Sequence, residues 1–247
     1  MSVSRLIKTS IAAAALVSAA SLTAQAADMP VKAAPYVAPA PSWTGLYVGG
    51  FVGAGWGTDF ATLDSISIVG VPVPIGLPLA QVSNSGFLGG GQIGYNYQSG
   101  WTVWGIEADI AGTDIRGSAP CIILFTCSTK DNWLATASAR FGGLVGERTL
   151  VYVKGGGAWL NETGSLTSTL AGLGFATSAS NTRSGWLVGM GAEYKFTSNW
   201  SGVIEYDYMD FGTQSTTYPI VPGLVTASVG ETNKLSTMKV GVNYKFW

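Results

Sequence analysis

Residues 238–247, MKVGVNYKFW, decide the fold class of this chain. Every second residue is apolar or aromatic, starting with Met238 and ending with Phe246, and Lys239 and Lys245 lie between them. Alternation with a period of two is the pattern of a β-strand whose two faces have different surroundings. A chain that ends on such an aromatic strand is typical of β-barrels that span the bacterial outer membrane.

The other end of the chain has the three parts of an export signal. Arg5 and Lys8 form a positive n-region, Ile11–Ala20 is a short apolar run, and Ala24-Gln25-Ala26 fits an A-x-A cleavage site. The apolar run is too short for a membrane anchor, which needs about 20 residues. We therefore predict that residues 1–26 are a cleaved signal peptide and that the protein is exported.

The composition argues against several classes of protein. Removal of the signal lowers the number of Lys and Arg from 13 to 11 against 14 Asp and Glu, and a net charge of −3 does not suit a nucleic-acid-binding protein. The mean hydropathy is +0.30, yet no apolar stretch after the signal is long enough for a spanning helix. Only 11% of residues are charged, which is low for a soluble surface. The high hydropathy fits either a large soluble core or a barrel that spreads its lipid-facing residues over alternating strands, and the low charge favours the barrel.

The exported chain divides into a linker and one domain. Residues 27–42 contain four prolines and are predicted to be an extended periplasmic linker. Residues 43–247 alternate strand and turn signals and are predicted to form an all-β domain, an eight-stranded antiparallel transmembrane β-barrel. The predicted strands cover residues 44–56, 86–97, 101–111, 132–142, 149–160, 184–196, 200–211 and 234–246.

The predicted connections alternate in length. Three are short, at residues 98–100, 143–148 and 197–199, and four are long, at residues 57–85, 112–131, 161–183 and 212–233. Outer-membrane barrels have short periplasmic turns and long outer loops. A soluble lipocalin-like barrel has no reason to alternate so regularly.

Charged residues fall on one face of the predicted strands, opposite the apolar face. In the third strand, Glu107 and Asp109 alternate with Ile106 and Ile110. Because an Arg or Lys that faces lipid at the midplane costs about 2–4 kcal/mol, the charged face is predicted to line the lumen. The ten predicted lumen residues are Glu107, Asp109, Arg140, Lys154, Glu193, Lys195, Glu205, Asp207, Lys239 and Lys245.

These five acids and five bases predict ion pairs between neighbouring strands that plug the lumen. The expected pairs are Arg140 with Glu107 or Asp109, Lys154 with Glu193, and Lys239 with Glu205 or Asp207. A gated or narrow path for ions is the alternative interpretation of the same charges.

Aromatic residues at the strand ends predict two belts at the membrane interfaces. The belt near the long loops holds Trp56, Trp133, Trp159, Trp186 and Tyr208; the other holds Tyr97, Phe141, Phe196, Trp200, Tyr244 and Phe246.

Four segments carry a resemblance to a known family. They are WTGLYVGGFVGAGWG at Trp43–Gly57, GGQIGYNYQ at Gly90–Gln98, WGIEADI at Trp104–Ile110 and VGVNYKF at Val240–Phe246. The chain resembles the small alphaproteobacterial outer-membrane porin-like β-barrel proteins, opacity-type surface antigens that are also called outer-membrane immunogenic proteins. The resemblance implies an eight-stranded barrel at the cell surface of a Gram-negative bacterium, with roles in envelope integrity or surface contact.

The resemblance also bears on the end of the chain and on ligands. Such chains usually end on Phe, and Trp247 stands one residue beyond it. Tyr244 with either Phe246 or Trp247 is therefore the predicted signal for the outer-membrane assembly machinery. Some members are haem or iron-compound receptors, and here any axial ligand would be a loop Tyr or Met because the chain has no histidine.

The sequence gives little support for catalysis. Without histidine, the usual bases of barrel hydrolases are missing, so no enzyme, metal site or cofactor is predicted. Glu205 and Asp207 share a face, which would suit acid–base chemistry or a cation, but Lys239 nearby favours ion pairing. Gly89–Gly94 matches G-x-G-x-x-G, yet it lies inside an alternating strand rather than before a helix. Cys121 and Cys127 lie in one candidate loop and could form a small disulfide ring after export, or could remain free thiols.

The predicted outer loops are the remaining functional surface. Residues 66–80 and 215–230 carry no charge, and Cys121–Cys127 is an apolar segment. Exposed apolar patches often mark interaction sites, although extended strands could cover one another instead. The expected partners are outer-membrane lipid or lipopolysaccharide, the assembly machinery, and a host or neighbouring-cell surface through the loops. A structural and surface-contact protein is the predicted function, and a small passive porin for ions or small solutes is the alternative.

Overall fold

The computed structural model describes residues 42–122, 125–168, 176–221 and 224–246. The predicted signal peptide, the linker up to residue 41, and Trp247 lie outside the described residues. The described residues belong to one compact unit, Ala40–Trp247. None of their helices is long and apolar enough to cross a membrane.

Eight antiparallel strands form a closed barrel in chain order, which confirms the predicted fold class. Each strand pairs with its neighbours in sequence, and the last pairs with the first, so the membrane-level sheet has no free edge. The strands are β1 (Gly45–Ile68), β2 (Val71–Ser99), β3 (Thr102–Ile122), β4 (Phe125–Val145), β5 (Thr149–Ser168), β6 (Ala176–Lys195), β7 (Trp200–Val221) and β8 (Val225–Lys245).

The strands extend much farther from the membrane than the sequence predicts. Most of the predicted loop at residues 57–85 belongs to the β1–β2 hairpin, which turns at Val69 and Gly70. Both residues have positive φ, 50° and 80°, as a tight type I′ hairpin turn requires. The Gly, Pro and Ser residues that predict a loop are accommodated by two register shifts, between Ala61 and Thr62 and between Leu63 and Ser65.

An apolar band with aromatic borders surrounds the barrel. Outward side chains such as Val52 and Ile106 are more than 60% exposed, as lipid-facing residues are in an isolated barrel. Nine of the predicted belt residues are among the exposed large side chains, and Tyr208 and Tyr244 are half-buried. On the long-hairpin side, the outward face turns polar at Lys130, Asp210 and Lys234. These charges mark the outer border of the lipid-facing band.

Beyond this border the barrel separates into two sheets. Pairing between β2 and β3 ends at Ser85 with Arg116, and pairing between β6 and β7 ends at Trp186 with Asp210. The other strand pairs continue outward. We call the extension of β7, β8, β1 and β2 wall one, and the extension of β3, β4, β5 and β6 wall two.

Lumen-facing side chains form layers along the barrel axis. On the short-turn side, a lower apolar layer contains Trp43, Val103, Leu150, Tyr152 and Val203. An upper apolar layer lies toward the outer side, and every strand contributes to it: Phe51, Leu88, Ala111, Ile115, Leu134, Ala158, Leu160, Leu187, Met209, Phe211 and Leu235. The charges are therefore one layer in a lumen that also has two apolar layers, which the sequence did not predict.

Candidate functional site: the charged lumen

Between the two apolar layers lies a set of charged side chains, here called the inner charge cluster. They point inward from six strands, β3 to β8, and all are at least nine-tenths buried. Its members are Glu107, Asp109, Arg140, Lys154, Glu193, Glu205, Asp207 and Lys239. Eight of the ten predicted lumen residues thus come together in one place.

Two lysines hold four carboxylates at the centre of this cluster. The Lys154 Nζ lies 2.6 Å from a Glu205 oxygen and 3.2 Å from one of Glu107. Two further carboxylates, of Asp109 and Asp207, lie within 3.5 Å of the same ammonium. The Lys239 ammonium approaches Asp109, Glu205 and Asp207 within 2.9 Å. Each charge is therefore compensated by several partners, which buried ions require.

Arg140 forms the second half of the cluster. Its guanidinium lies 3.2 Å from Glu107 and 3.5 Å from Glu193. It also stacks between the rings of Tyr47 and Tyr152, at 4.6 and 5.0 Å from their centroids. This arrangement adds cation–π attraction to the ion pairs in a site without bulk water.

The two tyrosines are functional residues that sequence reasoning missed. The Tyr47 hydroxyl donates to Glu107 at 2.6 Å, and the Tyr152 hydroxyl donates to Glu205 at 2.7 Å. Gly94 and Gly191 make room for these rings, because a Cβ at either position would overlap the ring atoms. Both tyrosines occupy alternating strand positions that face the lumen. Considering uncharged as well as charged residues at those positions would have identified them.

One of the three predicted lumen ion pairs differs in the structure. Lys154 was expected to pair with Glu193, but the register puts Lys154 opposite Gly189, four residues from Glu193 along β6. Glu193 instead contacts Arg140. The inner charge cluster therefore contains five carboxylates and three cations, not the balanced set that was predicted.

The two remaining predicted lumen bases, Lys195 and Lys245, are not in the cluster. Both donate to the backbone carbonyl of Ser42 at the short-turn end. Lys195 also lies over the Trp43 ring, 4.4 Å from its centroid. No carboxylate of the described residues lies within ion-pair distance of either ammonium. Lys195 and Lys245 bind the segment just before β1, because β6 and β8 end at the level of the barrel where that segment begins.

The centre of the cluster has an arrangement of oxygens that could hold a metal. Carboxylate oxygens of Glu107, Asp109 and Glu205 lie within 4.8 Å of one another. Lys154 and Lys239 already supply positive charge at this point, so the lysine ammoniums take the role that a cation would have. The adjacent cavity has a volume of only about 10 Å³, roughly the space for one water molecule.

A second group of charges, here called the outer acidic cluster, lies beyond the upper apolar layer. It consists of Asp59, Asp131, Glu162, Glu231 and Arg183, and it was missed because these positions were assigned to loops. Arg183 on wall two pairs with Glu231 on wall one and lies 3.2 Å from Glu162. The alternation of inward and outward residues continues past Trp56, Trp159 and Trp186, and this sequence pattern could have revealed the cluster.

Burial raises the pKa of three acids in the outer acidic cluster. Loss of hydration raises the pKa of Asp131 to about 8, and repulsion from Glu162 and Asp59 adds to the effect. The pKa of Glu162 is raised to about 7, mainly by burial and then by Asp59. Burial likewise raises the pKa of Asp59. These carboxyls lie at or beyond the outward charges of Lys130 and Lys234, outside the lipid-facing band.

The other predicted site residues are partly described. Cys127 is disulfide-bonded, and its predicted partner, Cys121, lies outside the residues whose side chains are described. Tyr244 stacks edge-on with Trp200 and Phe246 at 5.0 and 5.3 Å in the belt of the short-turn side. Trp247 lies outside the described residues, so the identity of the assembly signal stays a prediction.

Comparison with known proteins agrees with this architecture. Residues 12–246 match the model of a family described as the outer membrane protein beta-barrel domain. The 31 kDa outer-membrane immunogenic protein of Brucella melitensis biotype 1 is 32% identical over 235 residues, which cover 91% of this chain and 94% of the relative. The 25 kDa outer-membrane immunogenic protein of Brucella abortus biovar 1 is 30% identical over 233 residues, 92% of each chain.

A solved structure is similar in fold. The outer membrane protein OprG from Pseudomonas aeruginosa matches with a TM-score of 0.50 and 16% identity, over 82% of this chain and 96% of that one. The family match, the related immunogenic proteins and the closed barrel confirm the resemblance and the predicted location. This chain belongs to the outer-membrane β-barrel domain family and is a protein of the Gram-negative outer membrane, related to outer-membrane immunogenic proteins.

Proposed function

We propose that this protein is a structural and surface-contact component of the outer membrane whose lumen does not conduct ions. The observation that carries the proposal is the upper apolar layer, to which all eight strands contribute buried side chains. An eight-stranded barrel is just wide enough for side chains to fill it. An apolar constriction stops ions because they would lose their hydration there.

The inner charge cluster supports the same function. It joins β3, β4, β5, β7 and β8 across the lumen through Lys154, Lys239 and Arg140. Such cross-lumen pairs fix the barrel's cross-section, and breaking one pair would leave a buried charge uncompensated. A barrel held rigid in this way suits a role in envelope integrity.

Planar-bilayer conductance of the refolded mature chain tests the closed lumen. At neutral pH in concentrated salt, we expect no discrete steps from protein that migrates as a folded, heat-modifiable barrel. The matched variant carries Leu134→Ser and Leu235→Ser in the upper apolar layer, and we expect it to show rare, short openings. Reproducible steps from the wild-type barrel would refute the closed-lumen proposal.

A small passive pore is the second candidate. It is favoured by the excess of carboxylates in the inner charge cluster, which would select cations if water reached them. Conductance that disappears in the Glu107→Gln variant and prefers potassium to chloride would support this candidate. An absence of conductance in both the wild-type protein and the Glu107→Gln variant would count against this candidate.

The surface-contact role rests on the tip of the β1–β2 hairpin. Residues 66–80 carry no charge, and Val69 and Val71 at the tip are 70% and 65% exposed. An apolar surface of this kind favours contact with another surface over solubility. The proposed partners are a host or neighbouring-cell surface at the tip, outer-membrane lipid or lipopolysaccharide around the band, and the assembly machinery at the terminal strand.

Cell adhesion tests the surface-contact role. Cells that display a variant with Val69→Ser, Val71→Ser and Val73→Ser should bind host or neighbouring cells less than cells with the wild-type protein. The matched control changes Ser65 and Ser67 of the same hairpin to Thr. Equal binding by all three strains, at equal surface amounts, would refute the role of the tip.

A further inference from the structure

Oxygen atoms from both walls meet at the outer mouth of the barrel. The Thr129 hydroxyl of wall two lies 3.4 Å from an oxygen of Asp59 and 3.4 Å from the side-chain oxygen of Asn84, both on wall one. Asn84 in turn donates to Asp59 at 2.6 Å. One hydroxyl proton cannot satisfy two acceptors at this distance, so the group is richer in acceptors than in donors.

Carboxyl groups outnumber cations around these oxygens. The outer acidic cluster has four carboxylates and a single cation, Arg183. Arg183 contacts Glu162 and Glu231, which leaves Asp59 and Asp131 without a cationic partner among the described side chains. Asp131 is also the register partner of Glu162, so two buried carboxyls stand directly opposite each other. Like charges in that position repel.

An independent observation comes from a neutral side chain. Asn233 is 3% exposed and is the register partner of Asp59 on the same lumen-facing side. Among the described residues, no donor reaches its side-chain oxygen, and the same holds for one oxygen each of Asp59 and Asp131. A buried carbonyl oxygen without a donor is rare in folded proteins and needs an explanation.

We propose that the outer mouth binds one hard divalent cation of the calcium type, with oxygens of Asp59, Asn84, Asn233 and Thr129 as ligands. Calcium accepts carboxylate, amide and hydroxyl oxygens at about 2.3–2.6 Å, a radius that places neighbouring ligands about 3.4 Å apart. Asp131 supplies a further carboxyl group from the opposite wall, which would release its proton when the cation binds. The inner charge cluster is different, because lysine ammoniums already contact the carboxylates at its centre.

A bound cation would join the two walls. Asp59, Asn84 and Asn233 lie on wall one, whereas Thr129 and Asp131 lie on wall two. Magnesium suits the site less well, since it demands regular octahedral geometry and retains its waters. The inference is independent of whether the lumen conducts.

Calorimetric titration of the refolded mature chain in detergent micelles tests the site. The protein is first freed of metal with a chelator, and calcium chloride alone is the titrant. We expect one ion per chain, and we expect Asp59→Asn to weaken binding at least about tenfold. Asp114→Asn is the matched control, because Asp114 is an exposed acid on the outer face. The calcium affinity of this variant should equal that of the wild type.

The wild-type protein also provides a measurement that does not depend on a variant's folding. Protons compete for the carboxylates, so calcium should bind more weakly at about pH 6 than at about pH 8, with proton release on binding. Absence of calcium heat from folded wild-type protein would overturn the proposal. So would unchanged binding by folded Asp59→Asn, or proton uptake by the cluster with no calcium binding, which would mean that protons alone neutralise it.

Discussion

Lys154 has more charged neighbours than any other described side chain. Four carboxylates lie within 3.5 Å of its ammonium, and the side chain is fully buried. Strand alternation predicts that Lys154 faces the lumen, because that inference needs only its neighbours in sequence. Its partners could not be predicted in the same way. They depend on the stagger of the closed barrel, which brings Glu107 of β3 and Glu205 of β7 to one point.

Replacing Lys154 with Met should destabilise the barrel strongly. The change removes the cation but leaves its buried carboxylates, and breaking a buried pair in this way typically costs about 3–5 kcal/mol. Urea unfolding in detergent, followed by tryptophan fluorescence, measures the change in the free energy of unfolding. Lys234→Met is the control, since Lys234 is exposed and 3.9 Å from Asp210, and we expect it to change stability by less than about 1 kcal/mol. Equal effects of the two substitutions would contradict the role of Lys154.

Asp131 should make stability depend on pH. Its pKa is about 8 in the folded protein against an ordinary value of 3.8, so the folded state holds the proton more tightly. Its contribution to stability is therefore complete below about pH 4 and is lost as the pH rises through about 8. With a chelator present, wild-type protein should lose about 5 kcal/mol more than Asp131→Asn between these pH values, because each tenfold difference in proton affinity is worth about 1.4 kcal/mol. Parallel pH profiles of the two proteins would rule out the raised pKa.

At the scale of the element, the long hairpins show where the alternation of apolar and polar residues stops predicting strands. Within the membrane, lipid on one side and a packed lumen on the other enforce strict alternation, and the predicted strand cores agree with the structure there. Above the membrane both environments are polar or mixed. Residues such as Pro72, Pro74 and Gly76 then look like loop residues, although they lie in β2. The outer acidic cluster was missed for this reason.

The β1–β2 turn should be improvable. Val69 has a φ of 50°, which a β-branched residue adopts only with strain, whereas Asn adopts it readily in type I′ turns. Val69→Asn should therefore stabilise the hairpin tip by about 1 kcal/mol. Hydrogen exchange of the amides at residues 66–73 should slow by about fivefold, because that factor corresponds to about 1 kcal/mol. Val71→Asn, outside the turn, is the control and should not slow exchange; slowing by both or by neither would contradict the strain.

For the whole molecule, the apolar band and the outward charges fix the depth of the barrel in the membrane. Val52 lies in the middle of the band, whereas Ser83 faces outward beside Thr58, the register partner of Lys234 at the outer border. Val52→Arg should reduce the free energy of folding into lipid vesicles by about 2–4 kcal/mol, but Ser83→Arg by less than about 1 kcal/mol. Similar values for both variants would place the membrane border elsewhere.

The pairing of β1 with β8 has a consequence for the order of assembly. Tyr47 pairs with Lys245, and Ile68 pairs with Val225, so the first strand finds its second neighbour only in the last one. Every earlier stage of insertion leaves two open edges in contact with lipid, where unpaired amides and carbonyls are unfavourable. A closed barrel therefore forms only from a chain that is long enough to include β8. A translation product that stops before β8 cannot form a stable barrel, and it stays available to periplasmic proteases instead of remaining in the membrane.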